Sequence, residues 1–317
     1  MRANTGFTIT ELLIAMMLGL FLLMMILTAF STLSRSAKQT QQLAQLQQNG
    51  QFMLGLLQNE LQNVGFWGGK ADVLLASTVS KPDAPSPDCH NEILDSGSFP
   101  SLDNGFVTLY AKAVSSGAQL GCIPRALQDS ELLQIKRLIG QAHSIDRLQS
   151  NRFYLETNWQ HSRFVSADSS GLNSAMDYYP YQHLVFYVQR QSHEGEIVPV
   201  LMRKRLIRNA EGEARMTTDS IIDGVERLHF EFGIDANLDG HIDYQQTTAQ
   251  MTASQWQQLT NRIVSIKFYV LLRAIQPDPH YSNDQVYQMG QQRFDAGGDH
   301  YRRLLLSSTV YFHNTQL

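Results

Sequence analysis

The sequence predicts an α+β fold in which one long N-terminal α-helix packs on an antiparallel β-sheet. Three observations predict it: an apolar run over residues 12–30 that continues into a polar stretch with helical periodicity, no proline before Pro82, and β-rich segments beyond residue 105. The chain has 317 residues, 43 % hydrophobic and 17 % charged, which allows one large domain or two small ones after the helix. Its formal net charge of −4, without a basic stripe, argues against nucleic acid as the main partner.

The first half of the helix has the length and composition of a membrane span. Residues 12–30 number 19, and Thr28 carries the one polar side chain among them. A spanning helix needs about 20 mostly apolar residues. We therefore expect residues 7–30 to lie in a membrane.

The second half of the helix, residues 31–64, is expected to be amphipathic. Residues 34–42 (SRSAKQTQQ) are polar, and apolar residues then recur mostly three, four or seven apart, so that they share one helical face. We expect this face to pack on the downstream sheet. Its members are Leu43, Leu46, Met53, Leu57, Leu61 and Val64.

Beyond the helix, residues 77–105 predict a long loop, and segments rich in Val, Ile, Leu, Phe and Tyr then predict strands. Residues 252–261, around Trp256, predict a short helix. Residues 178–181 (YYPY) form either an exposed contact loop or a buried aromatic cluster, and we favour the cluster. The predicted strands cover residues 106–111, 132–139, 152–156, 183–189, 198–207, 224–233, 263–274 and 303–312.

The polar leader ahead of the apolar run ends in residues 6–11 (GFTITE). A secretory signal has its small-residue cleavage site after the apolar core, whereas Gly6 precedes that core here. Cleavage after Gly6 would therefore leave the apolar segment on the mature chain. Because a carboxylate in the bilayer core costs about 2.5–3.5 kcal/mol, Glu11 is expected to serve a function. The alternative is a plain signal anchor whose Glu11 lies in the membrane interface.

A second motif lies at residues 235–243 (DANLDGHID), which match the first nine positions of a calcium loop. Calcium binds 6–8 oxygen ligands, and alternate positions of the loop can supply them. The expected ligands are the side chains of Asp235, Asn237, Asp239 and Asp243 and the backbone carbonyl of His241. The twelfth position is Gln246 instead of the bidentate glutamate of an EF-hand, so a structural or weakly regulatory site is expected. The alternative is an Asx-rich turn stabilised by its own side chains.

The two cysteines, Cys89 and Cys122, match no metal-ligand spacing. If the domain lies outside the cytoplasm, we expect them to form a disulfide; the alternative is two reduced thiols that never meet. The sequence contains no zinc-protease motif, nucleophile elbow, P-loop or dinucleotide-binding motif. A Ser, His and Asp set could still come together in space, which the sequence does not reveal.

Residues 6–11 resemble the corresponding segment of a type IV prepilin, with Gly6 last in the leader, Phe7 as the mature N-terminus and Glu11 as the fifth mature residue. That resemblance implies cleavage by a leader peptidase, methylation of the Phe7 amine, and contact between Glu11 and the amine of a neighbouring subunit. The chain is also similar to the PilW family of minor pilins. The similar segments are residues 61–68 (LQNVGFWG), 262–273 (RIVSIKFYVLLR) and 301–314 (YRRLLLSSTVYFHN).

The resemblance to PilW implies a type IV pilin-like fold with four parts: a leader over residues 1–6, a membrane or filament-core segment over 7–30, an amphipathic half over 31–64, and a periplasmic β-rich domain over 65–317. It implies a non-catalytic role in starting pilus assembly, within a complex of minor pilins in the bacterial inner membrane that ends at the pilus tip. The implied partners are other minor pilins, the major pilin, the prepilin peptidase and the inner-membrane assembly platform.

Two other functions remain open from the sequence. A pseudopilin of a type II secretion system, of the GspJ type, would have the same N-terminal chemistry and serve secretion. A membrane-anchored periplasmic enzyme or a calcium-dependent adhesin belongs to a different class.

Overall fold

The long helix α1 (Ile9–Gln62) has 54 residues and is followed by a mainly antiparallel β structure. The computed structural model describes residues 8–68, 80–101, 105–115, 117–158, 161–193, 195–258 and 260–314. Within these residues the predicted fold class is confirmed, because the second half of α1 packs on an antiparallel sheet.

The larger sheet has seven strands arranged around the 17-residue strand β5 (Asp177–His193). One edge of β5 pairs with β2, and β2 pairs with β1. Elsewhere along its length β5 pairs with β3 and with β6, which lead to β4 and β7. The other strands are β1 (Leu109–Ala113), β2 (Glu131–Leu138), β3 (Phe153–Thr157), β4 (Ser162–Ser166), β6 (Glu196–Arg208) and β7 (Ala214–Asp223).

The second sheet has four strands in the order β13-β10-β8-β9, all antiparallel. A separate hairpin of β11 and β12 precedes its last strand, and a short helix, α2 (Ala253–Gln257), precedes β10. The bounds are β8 (Val225–Asp235), β9 (Tyr244–Thr247), β10 (Arg262–Arg273), β11 (Val286–Met289), β12 (Gln292–Asp295) and β13 (Arg303–Tyr311).

All eight predicted strands are present, as is the short helix around Trp256. The sequence missed β4, β7, β9, β11 and β12. Four of these strands have five residues or fewer, which is too short for a clear apolar pattern. The fifth, β7, has no fully buried residue and therefore also lacks the pattern on which strand prediction depends. The aromatic cluster is confirmed, because Tyr178 and Tyr181 lie buried in β5 and the Tyr181 ring is 4.9 Å from that of Phe164.

The amphipathic face of α1 lies on β13 and β10. Met53, Leu57 and Leu61 have no exposed surface, and they belong to the core that also contains the apolar residues of both sheets. Leu46 and Val64 are buried as predicted, but the inclusion of Leu43 was wrong, because 46 % of its surface is exposed. Near that residue the helix meets a loop instead of the sheet, with Gln42 Nε2 donating to the carbonyl of Gln276 at 3.3 Å.

Polar contacts fix the position of α1 along the sheets. Gln58 Nε2 donates to Ser308 Oγ on β13 at 2.9 Å, and Asn49 Nδ2 donates to the carbonyl of Asp223 at 3.3 Å. Arg137 on β2 forms an ion pair with Glu60 that is largely shielded from solvent. The helix is therefore held by both sheets along its second half.

Gly50 lets α1 approach β13 closely. A Cβ atom at this position would lie 2.5 Å from Cδ1 of Leu306 and 3.3 Å from Cδ2 of Leu304. A Cβ atom at Gly55, about one and a half turns further along α1, would meet no atom of another element within 4 Å. Gly50 is therefore required by the close packing of α1 on β13, whereas Gly55 has no such packing reason.

We predict opposite outcomes for the same substitution at these two glycines. Gly55→Ala should stabilise the fold by about 0.5–1 kcal/mol through helix propensity alone. Gly50→Ala should melt at or below the wild-type temperature, because its methyl group has to displace Leu306 and the strain offsets the gain in propensity. Thermal unfolding of the two variants beside wild type is the measurement. An equal rise in Tm for both would contradict the close approach at Gly50.

Candidate assembly and binding sites

The N-terminus of α1 is closed by a capping box made of Thr8 and Glu11. Oε2 of Glu11 accepts hydrogen bonds from the backbone N–H and the hydroxyl of Thr8, both at 2.9 Å, and the N–H of Glu11 points back at the Thr8 hydroxyl at 3.4 Å. Such reciprocal bonds satisfy backbone donors that a helix N-terminus leaves free. The spacing Thr-x-x-Glu is the signal that sequence reasoning overlooked.

The other carboxylate oxygen of Glu11, Oε1, receives no hydrogen bond from any residue that the structure describes. A carboxylate has about four lone-pair sites, so Glu11 can hold the cap with one oxygen and accept a further donor with the other. Gly6 and Phe7, at the predicted cleavage site, lie outside the described residues, as does the whole predicted leader.

The first half of α1 exposes its apolar side chains on all sides. Every described residue from Thr8 to Ser34 has an exposed side chain except Gly19, which is intermediate. By length and composition α1 is able to cross a membrane, and this is compatible with a single-pass anchor. An apolar surface of this extent is stable in water only if another apolar medium or protein covers it.

The acidic loop that joins β8 to β9 is closed by its own side chains. Asp235 accepts the backbone N–H groups of Leu238, Asp239 and Gly240 at 2.6, 3.2 and 2.8 Å. Asp243 accepts the N–H of Ala236 at 2.7 Å. Burial opposes ionisation of Asp235, but these three N–H donors prevail and hold its pKa below the ordinary value of an aspartate.

The side chains of Asn237 and Asp239 are engaged in the same way. Oδ1 of Asp239 accepts the N–H of His241 at 2.8 Å, and its Oδ2 accepts Nδ2 of Asn237 at 3.1 Å. Over the described ranges of the chain, no group of three or more His, Cys, Asp or Glu is arranged to hold a metal ion. The geometry is that of the Asx-rich turn, and calcium binding stays a prediction.

The predicted disulfide between Cys89 and Cys122 is present, with the two Cα atoms 4.8 Å apart. It ties the long loop after α1 to the turn before β2. Both sulfur-bearing residues are buried beside the apolar core.

Ser98, His183 and Asp88 come together where the long loop covers β5. Ser98 Oγ lies 2.6 Å from Oδ1 of Asp88 and 2.9 Å from Nδ1 of His183. Here the serine stands between the histidine and the carboxylate, whereas a catalytic triad needs the histidine in the middle. Ser98 and His183 have no exposed surface, so this set holds the loop on the sheet instead of meeting a substrate.

Lys136 on β2 is a fully buried amine in the same region. Its Nζ donates to the carbonyl of Val107 at 2.5 Å and lies 4.7 Å from the centre of the Phe106 ring. Burial lowers the pKa of Lys136 to about 7, although Asp88 and Asp95 attract its positive charge. Burial, with the nearby Lys136, also lowers the pKa of His183 well below its ordinary value, so that the imidazole is neutral.

A second buried polar cluster joins the two sheets and was not visible in the sequence. Glu131 on β2 accepts Nδ1 of His229, the N–H of Phe230 and the hydroxyl of Thr248, at 2.8, 2.8 and 2.7 Å. Glu231 accepts the hydroxyl of Tyr269 at 3.0 Å. Because the donors come from separate elements, only the fold brings these charges together, and their bonds offset the cost of burial.

The model of the family described as Type IV Pilus-assembly protein W, PilW, matches residues 185–314. These residues run from the middle of β5 past the end of β13 and contain two of the three segments on which the resemblance rests. The expected resemblance to the PilW family is confirmed over this region, and the match supports a PilW-family type IV pilus protein. Comparisons with curated proteins and with solved structures found no match.

We predict that calcium raises the melting temperature of the chain, since a ligand bound only by the folded state stabilises it by about 2.7 kcal/mol at a hundredfold excess over Kd. The full chain in a non-ionic detergent would be melted in millimolar calcium and in chelator. Asp239→Ala removes both a ligand oxygen and a charge from the loop, and should abolish the difference between the two buffers. Identical curves for the wild-type chain in the two buffers would leave the Asx-rich turn as the correct interpretation.

Proposed function

We propose that this PilW-family chain is a minor pilin that helps to start type IV pilus assembly within a priming complex of minor pilins, which then stays at the pilus tip. The match over residues 185–314 supports a role in type IV pilus assembly. The observation that carries the finer proposal is the bare apolar half of α1, with a carboxylate at its start. Such a helix needs partners along its whole length, first lipid and then the helices of other pilins.

The two halves of α1 suit two different environments, a membrane and the surface of the β domain. The first half has the length of a bilayer span, about 28 Å for 19 residues at 1.5 Å each, and it would anchor the chain singly in the bacterial inner membrane. The second half is fixed to the β domain, which would lie in the periplasm, where disulfides persist. A pull that extracts the helix into a filament would thus carry the β domain with it as one body.

In this proposal the chain acts by binding alone and catalyses no reaction. Its partners are other minor pilins, the major pilin, the prepilin peptidase and the inner-membrane assembly platform. The Gly6–Phe7 peptide bond is the substrate of the peptidase, and the new amine of Phe7 is methylated. The four-part division into leader, membrane segment, amphipathic half and β domain describes this sequence of events.

Deletion of the chain tests the proposal against a role in type II secretion. If the chain is a minor pilin of this kind, its deletion should abolish surface pili and leave the secretion of exoproteins normal. Complementation in trans should restore the pili. Normal piliation with defective secretion would favour the pseudopilin instead. Normal piliation and normal secretion, with loss of calcium-dependent attachment, would favour the adhesin.

We predict that the mature chain begins at Phe7. Because the small residue Gly6 precedes the apolar core, a single cut there removes residues 1–6 and leaves the span in place. Intact-mass analysis of the membrane-extracted protein should give the mass of residues 7–317 plus one methyl group. A mature chain that begins after residue 30 would contradict the assignment as a pilin.

We predict that the charge of Glu11, rather than its cap, is needed for assembly. Oε1 is open to a donor such as the amine of a neighbouring subunit, and Glu11→Gln keeps the capping box because a glutamine also serves at this position. Glu11→Gln should insert normally into the membrane and yet fail to enter sheared pili. Immunoblots of membrane and pilus fractions are the measurement.

Thr8→Ala is the matched control for this experiment, because it removes the cap and keeps the charge. A cap is worth about 0.5–2 kcal/mol, so this variant should lose some helix stability and still enter pili. If Thr8→Ala fails to enter pili while Glu11→Gln assembles normally, the carboxylate serves only to cap the helix.

A further inference from the structure

A groove lies between the middle of α1 and the loop that precedes the β11–β12 hairpin. It has a volume of about 440 Å³ and is lined by Phe30, Arg35 and Lys38 on the helix and by residues 276–280 on the loop. The loop is attached to the helix by Gln39, whose Nε2 donates to Oδ2 of Asp278 at 3.4 Å. The groove therefore begins where the apolar run of the helix ends.

Arg35 and Lys38 carry the two unpaired positive charges of this groove. Neither forms a hydrogen bond or an ion pair with any residue in the described part of the chain, and both are exposed. The carboxylate of the groove, Asp278, is neutralised by Arg302, whose Nη2 lies 3.0 Å away. The groove is thus left with a net positive charge and room for an anion.

The position of the two cations along α1 corresponds to the surface of a bilayer. Phe30 ends the apolar run, and at 1.5 Å per residue Arg35 and Lys38 lie about 8 and 12 Å beyond it. The headgroup layer extends roughly 5–8 Å beyond the hydrocarbon core. Helical side chains point toward the N-terminus, so both cations can reach back into this layer.

The positions of Arg35 and Lys38 disfavour the proposed orientation of α1 in the membrane. Lys and Arg close to a span favour the cytoplasmic side. If the β domain is exported, Arg35 and Lys38 lie on the opposite side, while the leader offers Arg2 alone. Two cations that oppose the orientation of the helix are expected to contribute elsewhere, and an anion at the outer surface of the membrane is the partner within their reach.

We propose that this groove binds the headgroup phosphate of an anionic phospholipid in the outer leaflet of the membrane that α1 spans. Arg35 and Lys38 bind the phosphate, and Phe30 packs on the upper part of the acyl chains. The loop over residues 276–280 forms the outer wall, so a bound lipid holds the base of the β domain against the membrane. This inference rests on the proposed membrane anchor and adds a specific lipid site to it.

The test is native mass spectrometry of the full chain released from a non-ionic detergent, titrated separately with dioleoyl phosphatidylglycerol, dioleoyl phosphatidylcholine and inorganic phosphate. Wild type should retain phosphatidylglycerol, and Arg35→Gln/Lys38→Gln should lose this retention, because both cations that bind the phosphate are removed. Arg125→Gln/Arg293→Gln is the matched control, because it removes two exposed charges outside the groove and should bind as wild type does.

Each of the following results would contradict a specific lipid site in the groove. Equal retention of phosphatidylcholine means a non-specific annular lipid, and inorganic phosphate that binds as tightly as phosphatidylglycerol means a general anion site. Equal weakening by both double variants means an effect of net charge. Membrane fractionation of wild type is read separately: if the chain is absent from membranes, the anchor itself fails, whereas a chain in membranes without selective lipid retention refutes this inference alone.

Discussion

The packing of the second half of α1 on β13 and β10 is the contact on which the rest of the molecule depends. Met53, Leu57 and Leu61 are removed from water there, and Gly50 lets the helix lie close enough for them to reach the core. Burying one such side chain contributes about 1.5–3 kcal/mol, so three of them hold the helix firmly. The first half of α1 makes no contact of this kind with the described residues of the chain, and within them its position is set by the second half.

How far the sequence predicts this structure depends on how local each signal is. The helix and the long strands are encoded by periodicity within a short window, and β10 was predicted to within one residue at each end. The capping box of Thr8 and Glu11 is equally local and could have been found by its spacing. Leu43 shares the periodicity of its neighbours, but whether the sheet extends far enough to cover it is a property of the fold.

The two buried polar clusters could not be predicted from any local sequence pattern. Glu131 and His229 are 98 residues apart in sequence and 2.8 Å apart in space, and the serine, histidine and aspartate set of the long loop is equally scattered. The sequence contains the residue types for such sets, but which of them meet depends on the order of the strands. In both clusters the buried charges are matched by donors from several elements, which favours one arrangement of the sheets over others.

In both the acidic loop and the start of α1, a carboxylate accepts backbone N–H groups, but the number of lone pairs left open differs. In the loop, both oxygens of Asp235 accept backbone N–H groups, and three of its about four lone-pair sites are already in use. At Glu11 one oxygen holds the helix cap and the other is open among the described residues. Under the proposed function, the cap would reduce the cost of placing the Glu11 carboxylate in a membrane before assembly, because the charge is already hydrogen-bonded. In the proposed assembly role, a carboxylate that is stabilised by its own helix and still open to a second donor could remain in the bilayer until the amine of a neighbouring subunit binds it, which is the property that a subunit stored in a membrane before assembly would require.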